Sequence, residues 1–137
     1  MSRTPLTLDE ANLLLRPLVH MPISLPWKGH GSAIFLELGN LAPLERPLQR
    51  HQNGDATIYI GWDWRAEEGS RVLYGSSNSK PEIEDGIDAL VGITIKNLTI
   101  QGSVPELSIE FSNGAHLMSA AMCTDTSEWD IRLPGAV

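Results

Sequence analysis

Between Ile93 and Leu133 the chain reads as four consecutive β-segments joined by short turns, and no other stretch constrains the fold as tightly. Leu107, Ile109 and Phe111 alternate with Glu106, Ser108 and Glu110. A period of two with polar residues between means that one side is buried and the other wet. Ser112-Asn113-Gly114 follows, and Asn-Gly accepts positive φ at little cost, so the chain reverses into a hairpin and a new strand starts at Ala115. The flanking segments are Ile93 to Ile100, Ala115 to Cys123 and Trp129 to Leu133, with a turn from Gln101 to Pro105. Ile93 and Ile95 are odd-numbered, but Leu98 and Ile100 are even. The inward face therefore changes near Lys96-Asn97, which calls for a bulge or a sharp bend.

Upstream the pattern mixes helix and strand. Thr7-Leu8-Asp9-Glu10 is a capping box, and Ala11, Leu14, Leu15 and Leu18 form one helical stripe before Pro17 and Pro22 end it. Met21 to Ser32, rich in Pro and Gly, reads as a loop. Ala33 to Leu38 is a strand with Ile34, Leu36 and Leu38 on one face, and Gly39 to Asp55 is a long surface connection. Ala56 to Arg65 reads as one strand. It places Ile58, Ile60, Trp62 and Trp64 on one face and Tyr59, Gly61, Asp63 and Arg65 on the other. Glu67 to Ser70 turns the chain, and Arg71 to Tyr74 pairs back. A second capping box, Ser79-Lys80-Pro81-Glu82, opens a helix whose buried stripe is Ile83, Ile87, Leu90 and Val91, with Gly92 after its end.

The sum is an α+β fold: a mainly antiparallel, twisted sheet of six or seven strands with two packed helices. The bulge would allow closure into a partial barrel. The expected core is Leu14, Leu15, Ile34, Leu36, Ile58, Ile60, Trp62, Ile83, Ile87, Leu90, Leu107, Ile109, Phe111, Trp129 and Ile131. A length of 137 residues fits one domain, which buries roughly two-thirds of its unfolded surface.

Charge narrows the partners. With 17 acids against 10 bases the formal charge is −7, which disfavours nucleic acid and suits a basic protein. The single cysteine, Cys123, excludes an intramolecular disulfide and fits a reducing compartment. No apolar leader follows Met1 and no apolar run is long enough for a membrane span, so the cytoplasm is the expected location.

Chemical motifs are sparse. No Gly-x-Ser-x-Gly elbow exists, and Ser76, Ser77 and Ser79 suit turns and caps. Cys123 and His116, seven residues apart, fall on opposite faces of an extended arm. His20, His30, His51 and His116 lack the spacing of metal ligands, and no motif calls for a cofactor. Gly29-His30-Gly31-Ser32 feeds a strand rather than a helix, so it reads as a turn and not a phosphate loop. Two surfaces stand out. Tyr59, Asp63 and Arg65 share one strand face, and with the loop residue Trp27 they outline a pocket for a polar small molecule or an enzymatic substrate. Glu67, Glu68, Glu82, Glu84 and Asp85, with Asp63, form an acidic surface for a basic partner.

Gly29-His30-Gly31-Ser32 before Leu36-Glu37-Leu38-Gly39, Trp64-Arg65, Ser76-Ser77, Leu90-x-Gly92, Phe111-x-x-Gly114 and Trp129 together span residues 22 to 134. In these features the chain resembles a group of small bacterial domains similar to the immunity proteins encoded beside toxins. The basic residues between positions 45 and 51 depart from that pattern. The resemblance implies a non-enzymatic protein that masks a toxin, and it carries no functional residue across. Two alternatives stay open: the pocket, and a homo-oligomeric structural domain built on the strand edge Ile131 to Leu133.

Overall fold

The computed structural model describes residues 6–122 and 128–135. Helix α1 (Leu8–Leu14) continues into a 3-10 turn (Arg16–Leu18). Strands β1 (Ile23–Lys28), β2 (Ile34–Leu38), β3 (Ala56–Ile60), β4 (Trp64–Glu68) and β5 (Arg71–Gly75) follow. Then come α2 (Lys80–Asp88), β6 (Ile95–Gln101), β7 (Glu106–Phe111), β8 (His116–Ser119) and β9 (Trp129–Arg132). Every strand pairing is antiparallel. The order is β1-β2-β3-β9 in a four-stranded sheet and β5-β4-β8-β7-β6 in a five-stranded one. The expected α+β class holds. The described strands number nine in two open sheets, not six or seven in one, and no barrel closes among them.

Both helices start as their sequences predict. Thr7 accepts from the Glu10 amide at 3.1 Å and Ser79 from that of Glu82 at 3.4 Å, each with the reciprocal glutamate contact. Helix α1 packs on β6, and α2 packs on β1 and β5. Asn12 from α1 meets the backbone of Ile100 as a neighbouring strand would, donating to its carbonyl (3.0 Å) and accepting from its amide (2.7 Å). The β6 edge is thereby blocked to another chain, a common defence of sheet edges. No described helix is long and apolar enough to cross a membrane.

The C-terminal run folds close to expectation. Phe111 and Ala115 close the hairpin at Gly114, whose φ of 91° suits glycine. The β6–β7 register shifts between Ile95 and Asn97, so Ile95, Leu98 and Ile100 all turn inward despite their mixed parity. Cys123 lies outside the described residues. β9 leaves the sheet of its sequence neighbours and pairs with β3.

Two expectations about segments fail. Met21 to Ser32 contains β1, because Pro26 sits among the ladder positions of an outer strand, where a missing N–H is tolerated. The strand expected from Ala56 to Arg65 breaks at Gly61–Asp63, and its halves enter different sheets. Face alternation does not survive that break. Trp64 is buried at 3% exposure and Trp62 is turned out at 49%. Leu14 and Val91, expected inside, are also exposed, because α1 and α2 end near them and the chain turns away from the helical stripe. Trp129 and Ile131 are only partly buried against the core. The other expected core residues are buried. One apolar cluster unites both sheets, including Ile34, Ile58, Ile95, Leu107 and Leu117. Each such side chain contributes roughly 1.5–3 kcal/mol by leaving water. Backbone bonds between residues 20–23 and 92–95, such as Ile23 N–H to Ile93 carbonyl at 2.8 Å, join β1's sheet to the start of β6.

Candidate functional site

Pleating sends Ile34, Leu36, Leu38, Ala56, Ile58 and Ile60 into the core, so the residues between them must face away from it. Strand register then sets those outward residues in two rows. One row runs Trp27, Phe35, Tyr59, Asp130 and the other Leu25, Glu37, Thr57, Arg132. An aromatic row thus lies beside a polar one on the face that alternation alone would leave wet.

The rings pack against one another. Trp27 stacks on Phe35 with centroids 3.9 Å apart and planes 3° from parallel. His51, from the connection between β2 and β3, covers the other indole face at 4.1 Å and 14°. Tyr59 leans on Phe35 at 5.0 Å and 45°. Contacts of this kind contribute about 0.5–1.5 kcal/mol each beyond burial.

Glu37, only 1% exposed, is the buried carboxylate of the described residues. Its Oε2 accepts from Trp27 Nε1 at 2.9 Å, and Oε1 accepts from the Gly54 amide at 3.0 Å and the Thr57 hydroxyl at 2.5 Å. Arg132 Nη2 in turn donates to Thr57 Oγ1 at 3.0 Å and to the Gly54 carbonyl at 2.6 Å. A buried carboxylate is tolerated only with such fixed donors. Gly54 is obligatory here, since a Cβ would sit 2.4 Å from the Leu38 carbonyl oxygen. Trp27 and Glu37 therefore pin the end of the Gly39–Asp55 connection onto the sheet.

An open pocket of about 450 Å³ lies over this face, lined by Trp27, Phe35, Glu37, Thr57, Tyr59 and Arg132, with Asn53 and Asp130 at its side. That volume is within the usual range for small-ligand sites. Of the four residues expected to form one pocket, the structure brings Trp27 and Tyr59 together here. Asp63 and Arg65 line a second opening of about 400 Å³ on the other sheet, with Val72, Ser76, Met118 and Met122. The break at Gly61–Asp63 separates the two pairs. Phe35, Glu37, Thr57, Asp130 and Arg132 were missed, although their alternation with the core residues of β2, β3 and β9 marks them as sharing a face. Cross-strand register, which unites them, is not written in any one segment.

The acidic residues expected to meet a partner are mostly engaged within the chain. Glu67 pairs with Arg65 at 3.0 Å and Glu84 with Lys80 at 4.0 Å. Glu82 caps α2, and hydrogen bonds from the Ser79 side chain, the Ser79 backbone and Asn78 lower its pKa from the ordinary carboxylate value. Glu68 and Asp85 are exposed and form no ion pair among the described residues. Of the serines, Ser76 accepts from the Trp64 amide and Ser79 caps its helix. His116 stands 4.0 Å from Glu110 on the solvent side of the five-stranded sheet. Among the described residues no three His, Cys, Asp or Glu side chains gather as a metal would require. Gly29-His30-Gly31-Ser32 is the β1–β2 turn, closed by Gly29 and Ala33. Ile131 and Leu133 lie partly buried against the core beside the outer edge of β9. No protein-family model, no curated protein and no solved structure matches this chain.

Proposed function

We propose that the chain is a non-enzymatic binding protein whose recognition face is the solvent side of the β1-β2-β3-β9 sheet. The pair of cross-strand rows carries this reading. Three aromatic rings and an arginine line an open pocket on a face whose default composition is polar and solvated. Glu37 supports binding rather than proton transfer. Both its oxygens accept from fixed donors, so its evident task is to orient Trp27 and Thr57. A thermal-shift screen of small polar and aromatic compounds tests the reading, because a ligand of the native state raises the melting temperature by mass action. Stabilising compounds should shift the NMR resonances of Phe35, Tyr59, Asp130 and Arg132. Compounds that map instead to Asp63, Arg65 and Met118 would move the function to the other opening.

An immunity-type role, masking a basic protein toxin, is the second reading. Its support is Glu68 and Asp85, two exposed acids on β4 and α2, elements that both adjoin β5. Complementary charge there would speed association with a basic partner. Combined Glu68→Lys and Asp85→Lys reversal that leaves capture of such a toxin unchanged removes this surface from consideration.

A further inference from the structure

We infer that the pocket over the four-stranded sheet takes a ligand with a carboxylate, a neighbouring N–H donor and an apolar side group, the chemistry of an amino acid or of a peptide's C-terminal residue. This rests on the binding reading above and names the ligand class for the same face. Asp130 and Arg132 lie two residues apart on β9 and both line the pocket. They do not pair with each other within 4.0 Å, and neither forms an ion pair with any described residue. The reason is local. Arg132 Nη2 is tethered to the Gly54 carbonyl and to Thr57 Oγ1, and these bonds hold the guanidinium beside β3. Its Nε and Nη1 donate to no described residue.

A half-buried arginine with unused donors and no carboxylate partner among the described residues stands out in a chain with 17 acids and 10 bases. A carboxylate offers the planar acceptor pair that guanidinium donors match, and such charge-assisted bonds are about twice as strong as neutral ones. The Asp130 side chain, exposed at the end of the aromatic row, makes no hydrogen bond with a described residue and is placed to accept from an N–H. Phe35 and Tyr59 lie between these groups and β1, line the same pocket, and supply an apolar floor for a side group. A ligand offering only a carboxylate, or only an N–H donor, would leave one of the two side chains beside it without a partner. A carboxylate with an adjoining N–H answers both.

The test is an NMR titration of the intact protein with L-phenylalanine, N-acetyl-L-phenylalanine, L-phenylalaninamide and 3-phenylpropionate, followed at the Trp27 indole and the Tyr59 and Arg132 resonances. Saturable binding of at least one of the first two is expected, with the amide and the propionate each at least about tenfold weaker. Equal binding of both acids assigns the site to a peptide C-terminus, whereas a strong preference for the free amino acid assigns it to a small metabolite. Asp130→Asn, at an exposed position whose side chain bonds to no described residue, should weaken binding by about fivefold with the fold intact, and Arg132→Lys should weaken it more. Equal affinity for acid and amide, or no saturation by either acid to about 10 mM, would overturn the inference. If screened ligands of other chemistry still map to Phe35, Tyr59 and Arg132, the ligand class fails while the face stands. If none maps there, the binding reading itself fails.

Discussion

Replacing Glu37 by glutamine tests the polar row most directly, because the change preserves shape and alters only charge and donor pattern. The carboxylate receives three donors: Trp27 Nε1 on Oε2, and the Gly54 amide and Thr57 hydroxyl on Oε1. A glutamine must place its NH₂ at one of these ends. Toward Trp27 it sets donor against donor and loses one bond. Toward Gly54 it loses the amide contact, and Thr57 can turn to accept only by sharing the oxygen that Arg132 already uses. The first arrangement costs less. Losing one hydrogen bond to a charged acceptor costs about 1.5–3 kcal/mol, and the stranded indole N–H adds about 1 kcal/mol. Burying a neutral amide instead of a carboxylate returns part of this, so the net loss is about 2 kcal/mol. With a urea m-value of roughly 2 kcal/mol/M, the midpoint should fall by about 1 M. Urea titrations followed by far-UV circular dichroism measure it. In a Trp27→Phe background the donor conflict is gone, so Glu37→Gln should then cost about 1 kcal/mol or less. An unchanged midpoint for the single variant, or an equal loss in both backgrounds, would refute the account of Glu37 as a donor-saturated anchor.

Three further outcomes follow from other contacts. Gly86→Ala should destabilise by about 1–2 kcal/mol despite the better helix propensity of alanine, because the new Cβ would lie 2.6 Å from the Tyr74 ring; a raised midpoint in urea would contradict this packing. Burial pushes the Tyr74 phenol from 10.0 to about 12, so its contribution to stability is complete below pH 10 and is lost as pH rises through 12. On the order of 2 kcal/mol should disappear across that window in wild type but not in Tyr74→Phe, as read by urea midpoints at each pH. Glu82 is shifted the other way, so its contribution is present above the unfolded value of 4.5 and is lost as pH falls through its lower folded midpoint. A carbon-13 titration of the Glu82 carboxyl should show Ser79→Ala returning that midpoint toward 4.5, and no movement would mean that the Ser79 bonds are not its cause.

Local signals were sufficient wherever one segment carries both pattern and terminator. The capping boxes at Thr7 and Ser79, the Asn113-Gly114 hairpin and the bulge near Lys96 all depend on residues within a few positions of one another, so steric and hydrogen-bond rules operate before the chain packs. The inward faces of β2, β3 and β7 were legible for the same reason, since side-chain alternation is built into the pleat. Only the tertiary structure decided that the Ala56–Arg65 run divides at Gly61, that β1 forms across Pro26, and that β9 joins β3 instead of the strands before it. Those choices fix which outward residues become neighbours. Register across four strands sets Trp27 beside Phe35 and Thr57 beside Arg132, residues separated by up to 75 positions, and the same register leaves Asp63 and Arg65 on another sheet. Pairing between distant segments is governed by shared burial and backbone bonding, which no single stretch of sequence encodes.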